Sequence, residues 1–128
     1  FEGPSMIMRS NQHFPSSKGT VEGTLNTDTM GFGFSVTRYQ TLVDVCMVGT
    51  TVAVDEDNVE QHFHIYYRNK TRDEKVDRIG AAFVAEVNRQ FGDDVPIWEN
   101  KLYREQPNFC DGDGPISRFR KWANQFYA

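Results

Sequence analysis

The chain has 128 residues, which is enough for one domain with a modest core and too few for two. Its formal charge of −4 and its isoelectric point near 5.3 argue against a nucleic-acid-binding surface. The short basic runs at 68–72 and 118–121 are therefore interpreted as solvated faces or as groups that cap backbone carbonyls. The two cysteines lie outside any CxxC or CxH pattern, so we expect no disulfide framework, no zinc site and a cytoplasmic location. No apolar run reaches the ~18 residues that a membrane span needs.

A period-two pattern from residue 4 to residue 69 predicts a sheet of five or more strands. Apolar side chains alternate with polar side chains or glycines, as in "GFGFSVTRY" at 31–39. The run at 41–54 is too long for one ordinary strand, so we expect a break or bulge near Gly49. The turn composition of "DEDN" at 55–58 and the short connections indicate antiparallel neighbours.

After residue 70 the spacing becomes helical. "TRDE" at 71–74 has the form of a capping box, and apolar residues three and four positions apart then predict a helix over 73–91. This helix is predicted to stop at Gly92. Its apolar stripe consists of Val76, Ile79, Phe83, Val87 and Phe91.

A second short helix is predicted to start at Asp94 or Val95 and to run to about Tyr103. "CDGDGP" at 110–115 is predicted to be a loop, and 116–127 is a last amphipathic stretch. Strands followed by helices predict an α+β fold, with an antiparallel sheet packed on a long helix.

The stretch "DDVPIWENK" at 93–101 admits two interpretations for Asp94. An Asp two residues before a proline is typical of a helix N-cap, with Pro96 early in the first turn, where its missing N–H costs nothing. In the other interpretation, the carboxylate holds a ligand. The local pattern alone leaves both interpretations open.

Two further patterns are compatible with a ligand site. His62 and His64 point the same way on a strand and could ligate a metal, although HxH is also found as a pair of exposed or pocket-facing histidines. Gly31 and Gly33 alternate with phenylalanines, which indicates either ordinary packing or room for a flat ligand. Cys46 has no evident base partner and is interpreted as a small apolar residue.

Three blocks in the C-terminal quarter of the chain resemble the C-terminal end of Rieske non-haem iron oxygenases. They are D-x-x-IW-x-NK from Asp94, P-x-x-C/V-x-x-DGP from Pro107 and R-x-W-x-x-QFY from Arg120. Within that family they look most like the oxygenase component of 3-ketosteroid 9α-hydroxylase and cholesterol 7-desaturases. "FEG" at the start of the chain and "GFGFS" at 31–35 are similar to the family at matching places, which extends a weaker resemblance over the whole length.

The resemblance implies a START-like helix-grip fold, in which an antiparallel sheet wraps a long helix and leaves a deep apolar pocket. In the family, two histidines and one carboxylate hold a mononuclear Fe(II) in that pocket and leave positions open for O₂. The resemblance assigns the carboxylate to Asp94, leaves Asp93 as its neighbour and makes Trp98 a wall that fixes the helix. The candidate pocket residues are Phe32, Phe34, Val43, Val45, His64 and Trp98.

The sequence departs from the family pattern in two ways. It has neither the CxH…CxxH pattern that carries a Rieske [2Fe–2S] cluster nor the H-x-x-x-x-H pair that supplies the iron histidines. In the family, that pair lies shortly upstream of the "FEG" position. We therefore expect 1–128 to be a single domain, the C-terminal portion of an oxygenase catalytic domain, which is inactive and binds no cofactor by itself. Nothing in the resemblance puts His62 and His64 in place of the missing pair.

The parent protein implied by the resemblance hydroxylates or desaturates a steroid- or sterol-like substrate with O₂ and receives electrons from a reductase or ferredoxin. We expect this chain to form homo-oligomers, because the missing elements would leave apolar surface exposed. The alternative is a stand-alone helix-grip module that binds an apolar ligand without catalysis. The sequence upstream of Phe1 would distinguish the two.

Overall fold

The computed structural model describes residues 1–16 and 19–127. The chain falls into two compact units, Phe1–Phe83 and Val84–Ala128. The first unit holds the sheet and the beginning of the long helix. The second holds the remainder of that helix and the C-terminal segments.

The first unit contains a five-stranded antiparallel sheet whose strands are neighbours in chain order. The strands are β1 (Ser5–Ser16), β2 (Gly19–Met30), β3 (Phe34–Gln40), β4 (Asp44–Ala53) and β5 (Val59–Tyr67). In the turn before β5, one oxygen of Asp55 accepts the backbone N–H groups of Asp57 at 2.9 Å and Asn58 at 2.8 Å. The predicted antiparallel sheet and the predicted turn at 55–58 are confirmed.

The predicted break near Gly49 is wrong. β4 pairs with its two neighbours without interruption, and its length is ordinary because 41–43 form a bend before it. Gly49 is buried where a β-carbon would lie 2.8 Å from the hydroxyl of Ser35 and 3.3 Å from the ring of Phe63. The glycine therefore permits close packing on a regular strand.

The beginning of the long helix packs on one face of the sheet, which we call the helix face. Tyr39, Val45 and Tyr67 lie side by side on this face in β3, β4 and β5. The ring of Phe83 meets the ring of Tyr39 edge to face at 5.1 Å, and Gly80 lies against the ring of Tyr67. These contacts confirm the predicted α+β fold with a helix on the sheet.

The opposite face of the sheet, which we call the outer face, is polar in one part and apolar in another. Asp28 on β2 binds Arg9 on β1 and Arg38 on β3, each at 2.6 Å, so one carboxylate links three strands. Met30 pairs across the strands with Phe34, and both side chains are exposed. The outer face therefore retains apolar side chains on the solvent side.

The long helix, α1, extends over Glu74–Glu99 as one continuous element. Asp73 caps its start, because its carboxylate accepts the N–H of Lys75 at 2.8 Å, while Asn69 accepts the N–H of Asp73 at 3.0 Å. The predicted capping box at 71–74 would make Thr71 the N-cap, whereas in the structure Asp73 is the N-cap of α1.

The predicted stop at Gly92 and the predicted second helix from Asp94 or Val95 are wrong, since α1 runs through both. Gly92 lacks the positive φ of a helix-terminating glycine. Pro96 removes one backbone hydrogen bond, the one to the carbonyl of Gly92, and the helix tolerates this loss. The helix ends where the side chain of Asn100 donates to the carbonyl of Pro96 at 2.8 Å.

The second unit closes with short elements after a loop. These are a 3₁₀ turn at Asp111–Asp113, helix α2 at Ile116–Ala123 and a 3₁₀ turn at Asn124–Phe126. Trp122 is buried and contacts the rings of Phe119 at 5.6 Å and Phe126 at 5.0 Å. Among the described residues, no helix is both long and apolar enough to cross a membrane.

Candidate metal-binding carboxylate on helix α1

Asp94 occupies a position on α1 where the spacing of apolar residues would place a hydrophobic side chain. The predicted stripe does not end at Phe91, because intervals of three and four residues continue it through Asp94 to Trp98. The complete stripe reads Val76, Ile79, Phe83, Val87, Phe91, Asp94 and Trp98. It contains a single charged residue.

Aromatic rings lie on both sides of Asp94 along this stripe. Phe91 is three residues before it and Trp98 four residues after it, and the centroids of the two rings are 6.2 Å apart. Trp98 thus contacts Phe91 on the same helix, and its predicted role as a wall that fixes the helix stays a prediction.

The environment of Asp94 differs from that of the adjacent Asp93. Asp94 is half-buried, and among the described residues no hydrogen bond or ion pair involves its carboxylate. Asp93 is exposed and accepts a hydrogen bond from Arg89 at 2.5 Å. The carboxylate of Asp94 therefore has no polar side-chain partner among the described residues, and its oxygens are available to a cation.

Arg89 holds two carboxylates on the exposed side of α1. Two of its nitrogens bind the two oxygens of Glu86 at 2.7 and 2.9 Å, and a third binds Asp93. The hydrogen bonds from Arg89 and then from Gln90 lower the pKa of Glu86 from 4.5 to about 2. The hydrogen bond to Glu86 is also the main cause of the raised pKa of Arg89.

The N-cap interpretation of Asp94 is wrong, because the residue lies inside α1 and not at its start. The donor chemistry of Asp94 fits one carboxylate position of an iron site. No group of three or more His, Cys, Asp or Glu side chains in 1–16 and 19–127 is arranged to hold a metal ion. The described residues thus offer Asp94 as one candidate ligand, and any further ligands would have to come from outside this set.

The two strand histidines do not form such a site. His62 and His64 both lie exposed on the outer face of β5, opposite the helix face. A nitrogen of His62 lies 3.1 Å from a carboxylate oxygen of Glu60, so this imidazole has a carboxylate neighbour. The geometry is that of surface histidines.

The candidate pocket residues on the sheet lie in different surroundings. Val43 and Val45 are buried, with exposures of 5% and 2%, and Val45 belongs to the helix face. Phe34 and His64 belong to the outer face, while Phe32 lies in the turn between β2 and β3. A cavity on one face of the sheet would not be lined by all of them, and their role in a pocket stays a prediction.

An open cleft of about 370 Å³ is present in the first unit at the ends of β3, β4 and β5. Most of its lining side chains have the parity of the outer face, and they include Arg38, Asp44 and Arg68. The cleft therefore combines charged side chains with a largely apolar lining.

The sequence does contain a pattern that places Asp94 among apolar residues, but the predicted helix stop at Gly92 ends the pattern before it reaches Asp94. Extending the interval pattern past Gly92 would have placed Asp94 among apolar residues. The ion pair of Arg89 with Asp93 follows an i,i+4 spacing that is also visible in the sequence.

A family model described as the 3-ketosteroid 9alpha-hydroxylase C-terminal domain matches residues 1–127. This chain belongs to that family. The match includes α1 and all three C-terminal blocks, so the resemblance of those blocks to 3-ketosteroid 9α-hydroxylase is confirmed and extends over nearly the whole chain.

Relatives of this family member include proteins from bacteria and an animal. It is 41% identical over 54 residues to the oxygenase component of a 3-ketosteroid-9-alpha-monooxygenase from Rhodococcus rhodochrous, which is 42% of this chain and 14% of the relative. It is 33% identical over 55 residues to the corresponding component from Mycobacterium tuberculosis, or 43% of this chain and 14% of that protein. It is 50% identical over 38 residues to a cholesterol 7-desaturase from Caenorhabditis elegans, or 30% of this chain and 9% of the relative. The chain thus matches only a small part of the length of each relative.

Proposed function

We propose that this chain is the C-terminal part of the catalytic domain of a Rieske-type oxygenase that hydroxylates or desaturates a steroid- or sterol-like substrate. The observation that carries the proposal is the family match over 1–127, which includes the D-x-x-IW-x-NK block with Asp94. The names of the relatives, a steroid monooxygenase component and a sterol desaturase, support the same class of substrate.

In this proposal Asp94 is the carboxylate ligand of a mononuclear ferrous ion, and two histidines outside the described residues complete its ligand set. When bound, the ion would activate O₂ beside the substrate, and a [2Fe–2S] cluster in the same protein would deliver electrons received from a reductase. Hydroxylation then consumes one O₂, two electrons and two protons, placing one oxygen atom in a C–H bond and releasing the other as water. Desaturation with the same inputs removes two hydrogen atoms from the substrate and releases two waters.

The residues of this chain have supporting tasks in that reaction. Asp94, which has no polar side-chain partner among the described residues, supplies a carboxylate oxygen to the cation. Phe91 and Trp98, which flank it on α1, present apolar surface suited to a steroid skeleton. Substrate choice among steroids then depends on the shape of the apolar walls.

The test is made in the full-length protein. Asp94→Ala is expected to lose the mononuclear iron and steroid-dependent O₂ uptake, while the visible absorbance of the [2Fe–2S] cluster stays unchanged, because the two centres have separate ligands. Asp93→Ala is the matched control and is expected to keep its iron. Iron retained at full occupancy in Asp94→Ala would defeat the ligand assignment. Steroid binding without any iron or O₂ uptake in the wild-type protein would favour the non-catalytic binding module.

A further inference from the structure

The helix face of the sheet carries no charged side chain along the described strands. The alternation of β1 to β5 directs every Asp, Glu, Arg and His of these strands to the outer face, from Arg9 on β1 to Glu60 on β5. A ligand on the helix face therefore meets no ion-pairing group from the strands. Such a surface favours a neutral molecule over an ionised one, because a charge there would lose water without gaining a partner.

Four hydroxyl side chains lie together on this uncharged face, on the neighbouring strands β2 and β3. Thr27 on β2 pairs directly with Thr37 on β3, and Thr29 pairs with Ser35 on the same two strands. We call these four residues the hydroxyl block. Thr37 is buried, with an exposure of 6%, and the other three are half-buried. The sequence thus places hydroxyls, and not aliphatic side chains, at sheltered positions of the helix face.

Apolar side chains border the hydroxyl block on the strands to either side. Met6 and Met8 of β1 pair with its two members on β2, and Met47 of β4 pairs with Thr37. Ile65 continues the row of Met47 on β5. A few polar groups within apolar walls are the usual composition of a site for a small apolar ligand, and methionine side chains adapt readily to its shape.

The hydroxyl block has more hydrogen-bond donors than its own contacts use. The hydroxyls of Thr27 and Thr37 are 3.0 Å apart, so one of them donates to the other. The hydroxyls of Thr29 and Ser35 make no hydrogen bond with the described residues. Of the four hydroxyl protons, one is therefore used within the block and three are left for an acceptor from outside it.

The unpaired hydroxyls of the block are within reach of a ligand. In the described part of the chain, no side-chain oxygen or nitrogen is both fully buried and without a hydrogen-bond partner. The oxygens of Thr29 and Ser35 therefore retain accessible surface. Gly49 provides the space that the Ser35 hydroxyl occupies, since a β-carbon on the glycine would lie only 2.8 Å from that oxygen.

Aromatic surface lies next to the hydroxyl block along β3. Tyr39 follows Thr37 by two residues and Ser35 by four, or about 7 and 13 Å along the strand. The ring of Tyr39 is already held edge to face by Phe83 at 5.1 Å. A rigid apolar skeleton whose oxygen is bound by the block thus has a fixed aromatic side chain nearby.

We propose that the hydroxyl block binds a keto or hydroxyl oxygen of the steroid-like substrate. The inference rests on the proposed function, which supplies the class of substrate, and it adds the group that the protein recognises. Both kinds of oxygen accept hydrogen bonds, which matches the unused donors, and both are neutral, which matches the uncharged face. A site that hydrogen-bonds a substrate oxygen discriminates more strongly than an apolar wall, because an analogue without the oxygen leaves polar groups unpaired.

The experiment measures the equilibrium binding of three steroid probes to the full-length protein by dialysis. The probes are androstan-3-one, androstan-3-ol and the parent hydrocarbon androstane. Thr29→Val/Ser35→Ala removes the unpaired hydroxyls, and Thr27→Val/Thr37→Val removes the paired ones. Each double variant is expected to weaken binding of the ketone and the alcohol about fivefold, the usual effect of one neutral hydrogen bond, and to bind the hydrocarbon within about twofold of the wild type.

The matched control is Thr50→Val on the outer face of β4. Thr50 is half-buried, and its hydroxyl makes no hydrogen bond with the described residues, so its substitution is expected to leave the binding of all three probes unchanged. The fold is expected to persist in every variant, because valine is a good strand former and the exchange of both partners of a hydrogen-bonded pair for apolar groups is nearly neutral. Circular dichroism checks this.

Two results would overturn the inference. In the first, both double variants bind the ketone and the alcohol as tightly as Thr50→Val does. In the second, they lose affinity equally for all three probes, which would show altered packing and no hydrogen bond to the steroid. A selective loss in only one double variant supports the inference and assigns the oxygen to that pair. Failure of the proposed function is recognised separately: the wild-type protein then binds none of the probes, and the inference falls with it, or Asp94→Ala retains its iron.

Discussion

Gly80 of α1 lies so close to Tyr67 of β5 that a β-carbon on the glycine would be 2.5 Å from the aromatic ring. Gly80→Ala is therefore expected to lower the free energy of unfolding of this chain by about 1–3 kcal/mol through overpacking, although alanine is the better helix former. Urea unfolding monitored by circular dichroism measures this change.

Gly92 on the same helix is the matched control for Gly80. A β-carbon there would meet nothing within 4 Å. Gly92→Ala is expected to stabilise the chain by roughly 0.5–1 kcal/mol, the usual gain in helix propensity. Equal effects of the two substitutions would contradict the packing of α1 on Tyr67.

The sheet could be predicted because its signal is local. The alternation along the strands and the turn residues at 55–58 specify strand pairs that are adjacent in sequence, so nothing distant had to be known. The interval pattern likewise identified the residues of α1 that pack, including Phe83.

The ends of the elements were less predictable because single residues were given fixed meanings. The local pattern predicts a break or bulge near Gly49 and a helix stop at Gly92, yet Gly49 provides room for Phe63 on a regular strand and Gly92 lies inside a helix. Whether a glycine breaks an element depends on its tertiary neighbours, which the local sequence does not contain. Likewise, an Asp two residues before a proline has the local pattern of an N-cap, yet both Asp94 and Pro96 lie inside α1.

The second prediction concerns the stability of this chain when residue 94 changes. Asp94→Leu completes the apolar stripe and replaces Asp by a better helix former at a half-buried position, so it is expected to raise the free energy of unfolding by about 1 kcal/mol. Thermal unfolding in the absence of metal provides the measurement.

The control for that substitution is Asp93→Leu, which loses the pair with Arg89 and is expected to destabilise by about 0.3–0.5 kcal/mol. A loss near 1 kcal/mol in Asp94→Leu, the effect of removing an N-cap, would contradict the position of Asp94 inside the helix.

The third prediction is the titration of Glu86. Its pKa in the folded chain is lowered from 4.5 to about 2, first by the hydrogen bond from Arg89 and then by that from Gln90. Because the folded pKa lies below the unfolded one, the stabilisation is present above pH 4.5 and is lost as the pH falls from about 4.5 toward 2. Carbon-detected NMR of the side-chain carboxyl measures the pKa directly.

Arg89→Met is expected to move the pKa of Glu86 back toward its ordinary value. Arg78 is exposed on the same helix and has no ion pair among the described residues, so Arg78→Met is expected to leave that pKa in place. The contribution to stability is small because Glu86 is exposed to solvent. An unchanged pKa in Arg89→Met would show that the paired geometry does not persist in solution.

The fourth prediction is self-association through the apolar part of the outer face. Met30 and Phe34 form a cross-strand pair with exposures of 62% and 46%, and such surfaces tend to become covered. We expect dimers or larger species of this chain at tens of micromolar in sedimentation velocity. Met30→Lys/Phe34→Lys is expected to reduce them.

Leu42→Lys is the control for association, since Leu42 is 64% exposed in the bend after β3 and outside that pair. It is expected to leave the distribution of species unchanged. A monomeric wild-type chain at these concentrations would contradict the prediction.

The position of Asp94 on an apolar stripe has an evolutionary consequence. In a gene copy that no longer needs a cation at this site, most apolar substitutions at position 94 make the folded chain more stable, so mutation and selection for folding act in the same direction. Asp94 is thus expected to be among the first residues to change after such a loss, well before the strands of the sheet. A leucine or valine at this position in an otherwise similar sequence would then identify a descendant that keeps the fold without the chemistry.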